Sequence, residues 1–239
     1  MDHNIGGDAF ADVRFDGDFR PYQSEVLAHA DEYLQDKKIH IVAAPGAGKT
    51  VLGLELIRRL GRPALILSPT VTIRSQWVQR FCERFLPENA DRAAYVSEDI
   101  CAPALIVSST YQAMYSAMRG LKDTECDELT GKTETTDYAG TDLKAILRRG
   151  GVGTVCLDEA HLETLKSAGA VSHGAYAEIC APKGAPGLAV SLLFGFGQGT
   201  ADLYPRNAHD AFACRRSRIS YRKKRDRKVR VVFCLSGRF

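Results

Sequence analysis

The 239-residue chain has no Cys-x-x-Cys pair, although seven cysteines are scattered along it at positions 82, 101, 126, 156, 180, 214 and 234. Their odd number argues against a disulfide framework and the missing pairs argue against a zinc site, while reduced thiols fit a cytoplasmic protein. No apolar run is long enough to span a bilayer, so no membrane partner is expected. The first 18 residues are polar and mostly acidic, which is not the composition of a signal peptide. Internal repeats are missing as well.

What is present is ordinary for a globular chain: 45% apolar and 26% charged residues. The length suits one large α/β domain, or one domain with a tail. The net charge of +3 is unevenly spread, because residues 206–239 carry 12 Lys/Arg against 2 Asp/Glu, a net of +10, which leaves −7 on the rest. A basic stretch of this kind can hold phosphate backbones through counterion release, and it can equally be a solvated, unfolded tail.

Hydrophobic spacing and punctuation give the elements. Pro21 suits the first position of a helix over residues 22–34, with Val26, Leu27, Ala30 and Leu34 on one face. Ile39–Ala43 reads as a short buried strand, residues 45–48 as a tight turn, and Lys49–Leu60 as a helix stopped by Gly61. A strand at 64–67 precedes a helix that Thr70 caps and that ends before Pro87. Strands are expected at 93–96, 104–108 and 153–157, and helices at 110–118 and 142–149. Residues 120–141, polar and rich in Thr, Asp and Glu, read as a mobile surface insertion. Alternating strands and helices imply a mainly parallel sheet with helices on both faces.

Ala43-Ala44-Pro45-Gly46-Ala47-Gly48-Lys49-Thr50 follows a strand and opens a helix, the context that a phosphate-binding loop requires. Glycines let the loop close tightly, so that backbone N–H groups converge on phosphate oxygens, and the helix N-terminus adds a favourable dipole. Lys49 is expected to reach the β- and γ-phosphates and Thr50 to offer its hydroxyl to Mg2+. The strict pattern asks for glycine where Ala43 stands, and the alternative is a glycine-rich turn with an exposed lysine. Further along, an apolar strand delivers Asp158 and Glu159 to the edge of an open α/β sheet, where ligands bind. Asp158 suits Mg2+ through its water shell, Glu159 suits a general base for an attacking water, and His161 suits a link to a neighbouring domain. An Asp-Glu pair alone could simply favour a helix dipole. Its weight comes from lying after the loop and on a strand.

Upstream, Gln23 can pair two-pronged with adenine and so select ATP, although an ordinary surface glutamine would look the same. Ser68-Pro69-Thr70 with Gln76-Trp77, and Thr110-Tyr111-Gln112, put hydroxyls and amides at strand ends. There they suit nucleic-acid phosphates or plain helix capping, while Trp77 reads more readily as a core aromatic.

Together Arg20-Pro21-Tyr22-Gln23, residues 44–50, Ser68-Pro69-Thr70, Thr110-Tyr111-Gln112 and Asp158-Glu159-Ala160-His161 resemble the ordered motifs of superfamily 2 DEAD/DEAH-box helicases. The nearest groups are the type III restriction motor subunits and the excision-repair helicases, and the resemblance covers about residues 19–165. It implies a RecA-like P-loop NTPase fold, ATP and Mg2+ as cofactors, and nucleic acid, DNA rather than RNA, as partner. Position by position, it puts Arg20, Gln23, Ala44, Pro45, Gly46, Ala47, Gly48, Lys49 and Thr50 on the nucleotide. Thr50 and Asp158 then hold Mg2+, Lys49, Asp158 and Glu159 act in catalysis, and Pro69, Thr70 and Thr110 meet nucleic acid.

The chain also departs from that family. No Ser/Thr-Ala-Thr motif occurs between residues 162 and 239, where Gly199-Thr200-Ala201-Asp202 comes nearest. No second RecA-like domain is expected within these residues, and after about residue 172 the composition turns to Gly, Ala, Pro, Arg and Ser. The expected organisation is a polar segment 1–18, a helicase ATP-binding RecA-like domain 19–172 with its insertion at 120–141, and a poorly ordered basic region 173–239. A frameshift or gene truncation is expected to account for that last region. Two readings of the activity stay open: a nucleic-acid-stimulated, Mg-ATP-dependent ATPase, and a truncated binding module without autonomous catalysis. Unwinding by this chain alone is not expected, because it needs two domains closing around a nucleotide.

Overall fold

The computed structural model describes residues 9–30, 39–43 and 46–158, and after them the backbone of four short strands. The elements are Pro21–Ala28 (α1), Ile39–Ala43 (β1), Lys49–Leu60 (α2), Ala64–Ser68 (β2), Val71–Phe85 (α3), Arg92–Tyr95 (α4), Val96–Ser97 (β3), Ile106–Thr110 (β4) and Tyr111–Arg119 (α5). Lys122–Cys126 (β5), Thr133–Asp137 (β6), Leu143–Arg149 (α6) and Thr154–Leu157 (β7) follow, and then Leu192–Gly195 (β8), Cys214–Arg215 (β9), Val229–Val232 (β10) and Leu235–Ser236 (β11).

Among the described residues, seven strands form the main sheet in the order β10-β1-β8-β7-β2-β4-β3. All pairings are parallel except that of β10 with β1. Strand β2 shows why the sheet must be covered twice. Ala64 and Ile66 point into one core with Leu52, Leu56 and Ile57 of α2 and with Trp77, Phe81 and Phe85 of α3. Leu65 and Leu67 point the other way, into a core with Tyr111 and Met114 of α5 and Leu143 and Leu147 of α6. Side chains alternate faces along a strand, so an all-apolar strand is stable only when both faces are buried. This is the RecA-like arrangement that the motif order implies. Among the described residues, no helix is long and apolar enough to cross a membrane.

The structure differs from the sequence reading in four places. Helix α1 ends at Ala28 with His29 as its C-cap, and Leu34 lies outside the described residues. Residues expected as a strand at 93–96 are mostly α4, because the Asp91 carboxylate accepts from the Ala93 N–H at 3.2 Å and starts a turn. Strand β4 begins at Ile106 rather than 104, just beyond Pro103, which has no N–H to give to a ladder. The insertion at 120–141, read as a mobile surface insertion with no elements of its own, is a surface feature built on a regular antiparallel hairpin of β5 and β6. Its turn is locked by Asp127, whose carboxylate accepts from the Leu129 N–H at 3.0 Å and the Thr130 hydroxyl at 2.6 Å. Within 173–239, read as a poorly ordered basic region, the described strands β8 and β10 pair into the main sheet.

Candidate functional site

Strand β1 feeds the loop whose described residues are Gly46, Ala47 and Gly48, while Ala44 and Pro45 lie outside the described residues. Gly48 is the N-cap of α2 and has φ 89°, a left-handed conformation. A Cβ at this position would stand 2.9 Å from Gln23 Nε2, so both backbone and space require glycine here. Lys49 and Thr50, partly exposed, are the first two residues of α2. No acidic side chain occupies the first turn of this 12-residue helix, which leaves its amide end favourable to an anion.

The start of α1 straps this loop from behind. Arg20 Nη1 donates to the Gly46 carbonyl at 2.7 Å, the Tyr22 hydroxyl to the Ala47 carbonyl at 2.6 Å, and Gln23 Nε2 to the Gly48 carbonyl at 2.9 Å. The Arg20 N–H in turn donates to Gln23 Oε1 at 2.8 Å, so both ends of the amide are used. A trans peptide is planar, with its C=O and the following N–H opposed. Each carbonyl drawn toward α1 therefore turns the next N–H, of Ala47, Gly48 and Lys49, the opposite way. Burial pushes the Tyr22 hydroxyl up in pKa, against the Gln23 hydrogen bond and the Arg20 charge, which keeps it a proton donor. Gln23 itself is 3% exposed, so it is part of the loop's support rather than a free surface amide.

Asp158 lies just past β7 and is buried. Its N–H donates to the Leu67 carbonyl at 2.9 Å, and its own carbonyl accepts from the Tyr111 hydroxyl at 2.8 Å. Its carboxylate Oδ2 accepts from the indole N–H of Trp77 at 2.7 Å. Strand β2 and helices α5 and α3 thus converge on one residue. Cys156, two positions earlier, is fully buried, and burial followed by the Asp158 charge pushes its thiol well up, so it serves as a neutral core side chain. Glu159 and His161 lie outside the described residues. Helix α2, which begins at Lys49 and Thr50, packs against β7, the strand that leads into Asp158.

Pro69 and Thr70 sit partly exposed at the end of β2, where the Thr70 hydroxyl accepts from the Ile73 N–H at 3.3 Å. Thr110 ends the neighbouring strand, paired in register with Ser68. It is buried, and its hydroxyl accepts from the Ala113 N–H at 3.0 Å and donates to Glu125 of the hairpin. Arg74 Nη1 reaches the same carboxylate at 2.5 Å. The structure therefore brings Thr70 and Thr110 to one sheet edge and gives both hydroxyls partners within the protein. Two features escape the sequence reading. The Arg74–Glu125–Thr110 cluster joins residues far apart in the chain, and the polar role of Trp77 is hidden because apolar surroundings dominate its packing.

The Thr50 hydroxyl and the Asp158 carboxylate are hard oxygen donors of the kind Mg2+ takes. A left-handed loop with its amides turned away from their support suits phosphate oxygens. The residues present fit a Mg-nucleotide.

The family model of the type III restriction enzyme res subunit matches residues 16–180. The chain belongs to that family. A 71-residue stretch is 41% identical to helicase 055L of Frog virus 3 (isolate Goorha), covering 29% of this chain and 16% of that protein. Another, of 70 residues, is 40% identical to UvrABC system protein B of Thermus thermophilus, covering 28% of this chain and 10% of that one. The matched stretches thus span a small part of either relative. Membership makes this a helicase-type module of the res-subunit family, a family that uses nucleotide with a divalent metal and engages nucleic acid.

Proposed function

We propose that this res-subunit domain binds Mg-ATP at residues 44–50 with Asp158 and hydrolyses it, in the cytoplasm, when nucleic acid is bound. The observation that carries the reading is the strap from α1, which fixes the carbonyls of Gly46, Ala47 and Gly48 and so turns the next three amides outward. Lys49 then neutralises charge on the β- and γ-phosphates, while Thr50 and Asp158 hold the metal. Mg2+, when bound, supplies further neutralisation of the phosphate charge. Glu159 takes the proton of the attacking water. Arg20 and Gln23 act on the nucleotide through the loop they hold. Pro69, Thr70 and Thr110 line the nucleic-acid edge, and Thr110 becomes available only when its contact with Glu125 opens. DNA is favoured over RNA by the restriction-enzyme description of the family.

Calorimetry with Mg-ATP on the 239-residue chain tests the reading, with Lys49→Ala as control. Micromolar binding that the variant loses supports it, and no binding by the wild type overturns it. Phosphate release stimulated by DNA, abolished in Glu159→Gln while ATP binding survives, supports hydrolysis. Binding without release makes the chain a nucleotide-binding module only.

A further inference from the structure

We propose that Trp77 is a positioning residue for Asp158, and that its indole senses whether the metal–nucleotide site beside that carboxylate is filled. The proposal rests on the Mg-ATP reading above and deepens it. Trp77 is the single tryptophan of the chain and is 1% exposed, on the face of α3 that packs with Val78, Phe81 and Phe85. Apolar packing explains its ring but not its N–H. That group donates to Asp158 Oδ2 at 2.7 Å, between residues 81 positions apart. A buried indole N–H requires an acceptor, and a carboxylate makes the bond charge-assisted, roughly twice as strong as a neutral one. Holding one oxygen from a rigid, packed ring fixes the rotation of the carboxylate about its Cβ–Cγ bond. The backbone of Asp158 is fixed separately, by Leu67 and by the Tyr111 hydroxyl. Main chain and carboxylate are thus oriented by different elements, and only the second depends on Trp77. Groups that orient a ligand from outside the first coordination layer typically change metal affinity by about 10–100-fold when removed.

Trp77→Phe keeps the aromatic body and removes the donor. The experiment is an Mg2+ titration at fixed ATP, followed by calorimetry and by tryptophan emission. In the wild type, the emission of Trp77 changes with the same midpoint as the heat. In Asp158→Asn that emission response is lost, while ATP binding without metal persists. In Trp77→Phe the Mg2+ concentration for half-saturation rises about tenfold, and affinity for metal-free ATP stays at the wild-type value. A purely structural role would shift the melting curve and leave the Mg2+ midpoint alone. An unchanged midpoint in a folded Trp77→Phe protein overturns the proposal. So does a flat wild-type emission under conditions where calorimetry shows saturation, and this measurement decides the matter if the variant does not fold. Failure of the wild type to bind Mg-ATP at all brings down the nucleotide reading itself, a result distinct from intact binding with an unmoved Mg2+ midpoint.

Discussion

Gln23 and Gly48 are 25 positions apart and behave as one unit. The glutamine's Nε2 donates to the glycine's carbonyl at 2.9 Å, and a Cβ on the glycine would meet that same nitrogen at 2.9 Å. Gln23→Ala leaves the Arg20 N–H without its acceptor and the Gly48 carbonyl with the Leu52 N–H alone, at a cost of about 1–3 kcal/mol. Gly48→Ala forces a side chain into a φ of 89° and into the Gln23 amide; the backbone part alone costs about 1–2 kcal/mol. Each single variant should lower the urea midpoint and weaken Mg-ATP binding. The double variant should lose less than the sum, because truncating Gln23 to alanine removes the atom that the new Cβ would strike. Strict additivity in the double-mutant cycle would mean that the two side chains do not share this contact. The sequence identified both residues, because glycine in a strand-turn-helix setting carries its own physical reason. It did not show the hold of Gln23 on the Gly48 carbonyl, since nothing in a linear chain shows which carbonyls α1 will meet.

At the level of elements, α2 carries a buried charge that the apolar pattern does not reveal. Glu55 is 3% exposed and accepts from Arg58 at 2.8 and 2.9 Å and from Arg59 at 2.8 Å. Arg59 also donates to the Leu27 carbonyl at 2.8 Å, which ties α2 to α1 and so to the strap on the loop. Burial pushes the Glu55 carboxyl up, the hydrogen bonds and charges of Arg58 and Arg59 outweigh it, and the net pKa is lowered. A carboxyl lowered on folding adds stability that is present above its unfolded pKa and is lost as pH falls through the folded value. Glu55→Gln should therefore be less stable than wild type at neutral pH, with the gap closing as pH falls below the ordinary glutamate range. Denaturant melts at about pH 7 and about pH 3 check this, and a gap that stays constant with pH would rule it out. Helices α2, α3 and α5 were legible because apolar residues recur at helical spacing and Thr70 and Thr110 mark two of their starts. The β5–β6 hairpin was not, because its alternation is written in Thr, Asp and Glu, whose polarity suggests a loop although threonine is β-branched and suits a strand.

The two-faced sheet of the whole molecule follows from strands such as β2 that are apolar throughout, and this much the sequence makes plain. The places of β8 and β10 were not legible. Strand β8 is four residues set among Ser191, Gly197 and Gly199, and β10 four residues after a run of Lys and Arg; the identity of each as a strand comes from pairing with β1, and for β8 also with β7. The same pairing governs how the charge asymmetry can be tested. Residues 206–239 hold a net of +10 against −7 elsewhere. Deleting them would also strip β10 from β1, the strand that leads into residues 44–50, and would confound charge with folding. Replacing Arg222, Lys223, Lys224 and Arg225 by glutamine removes four positive charges and leaves Val229–Val232 unchanged. If the basic run holds phosphates, DNA affinity should fall, and the slope of log K against log salt should shrink by roughly 0.9 for each phosphate that the chain no longer neutralises. Mg-ATP binding and the melting temperature should stay at their wild-type values, since no described residue of the strap, of Asp158 or of either core is changed. An unchanged slope would assign those charges to solvation and leave the edge lined by Pro69, Thr70 and Thr110 as the proposed contact to test next.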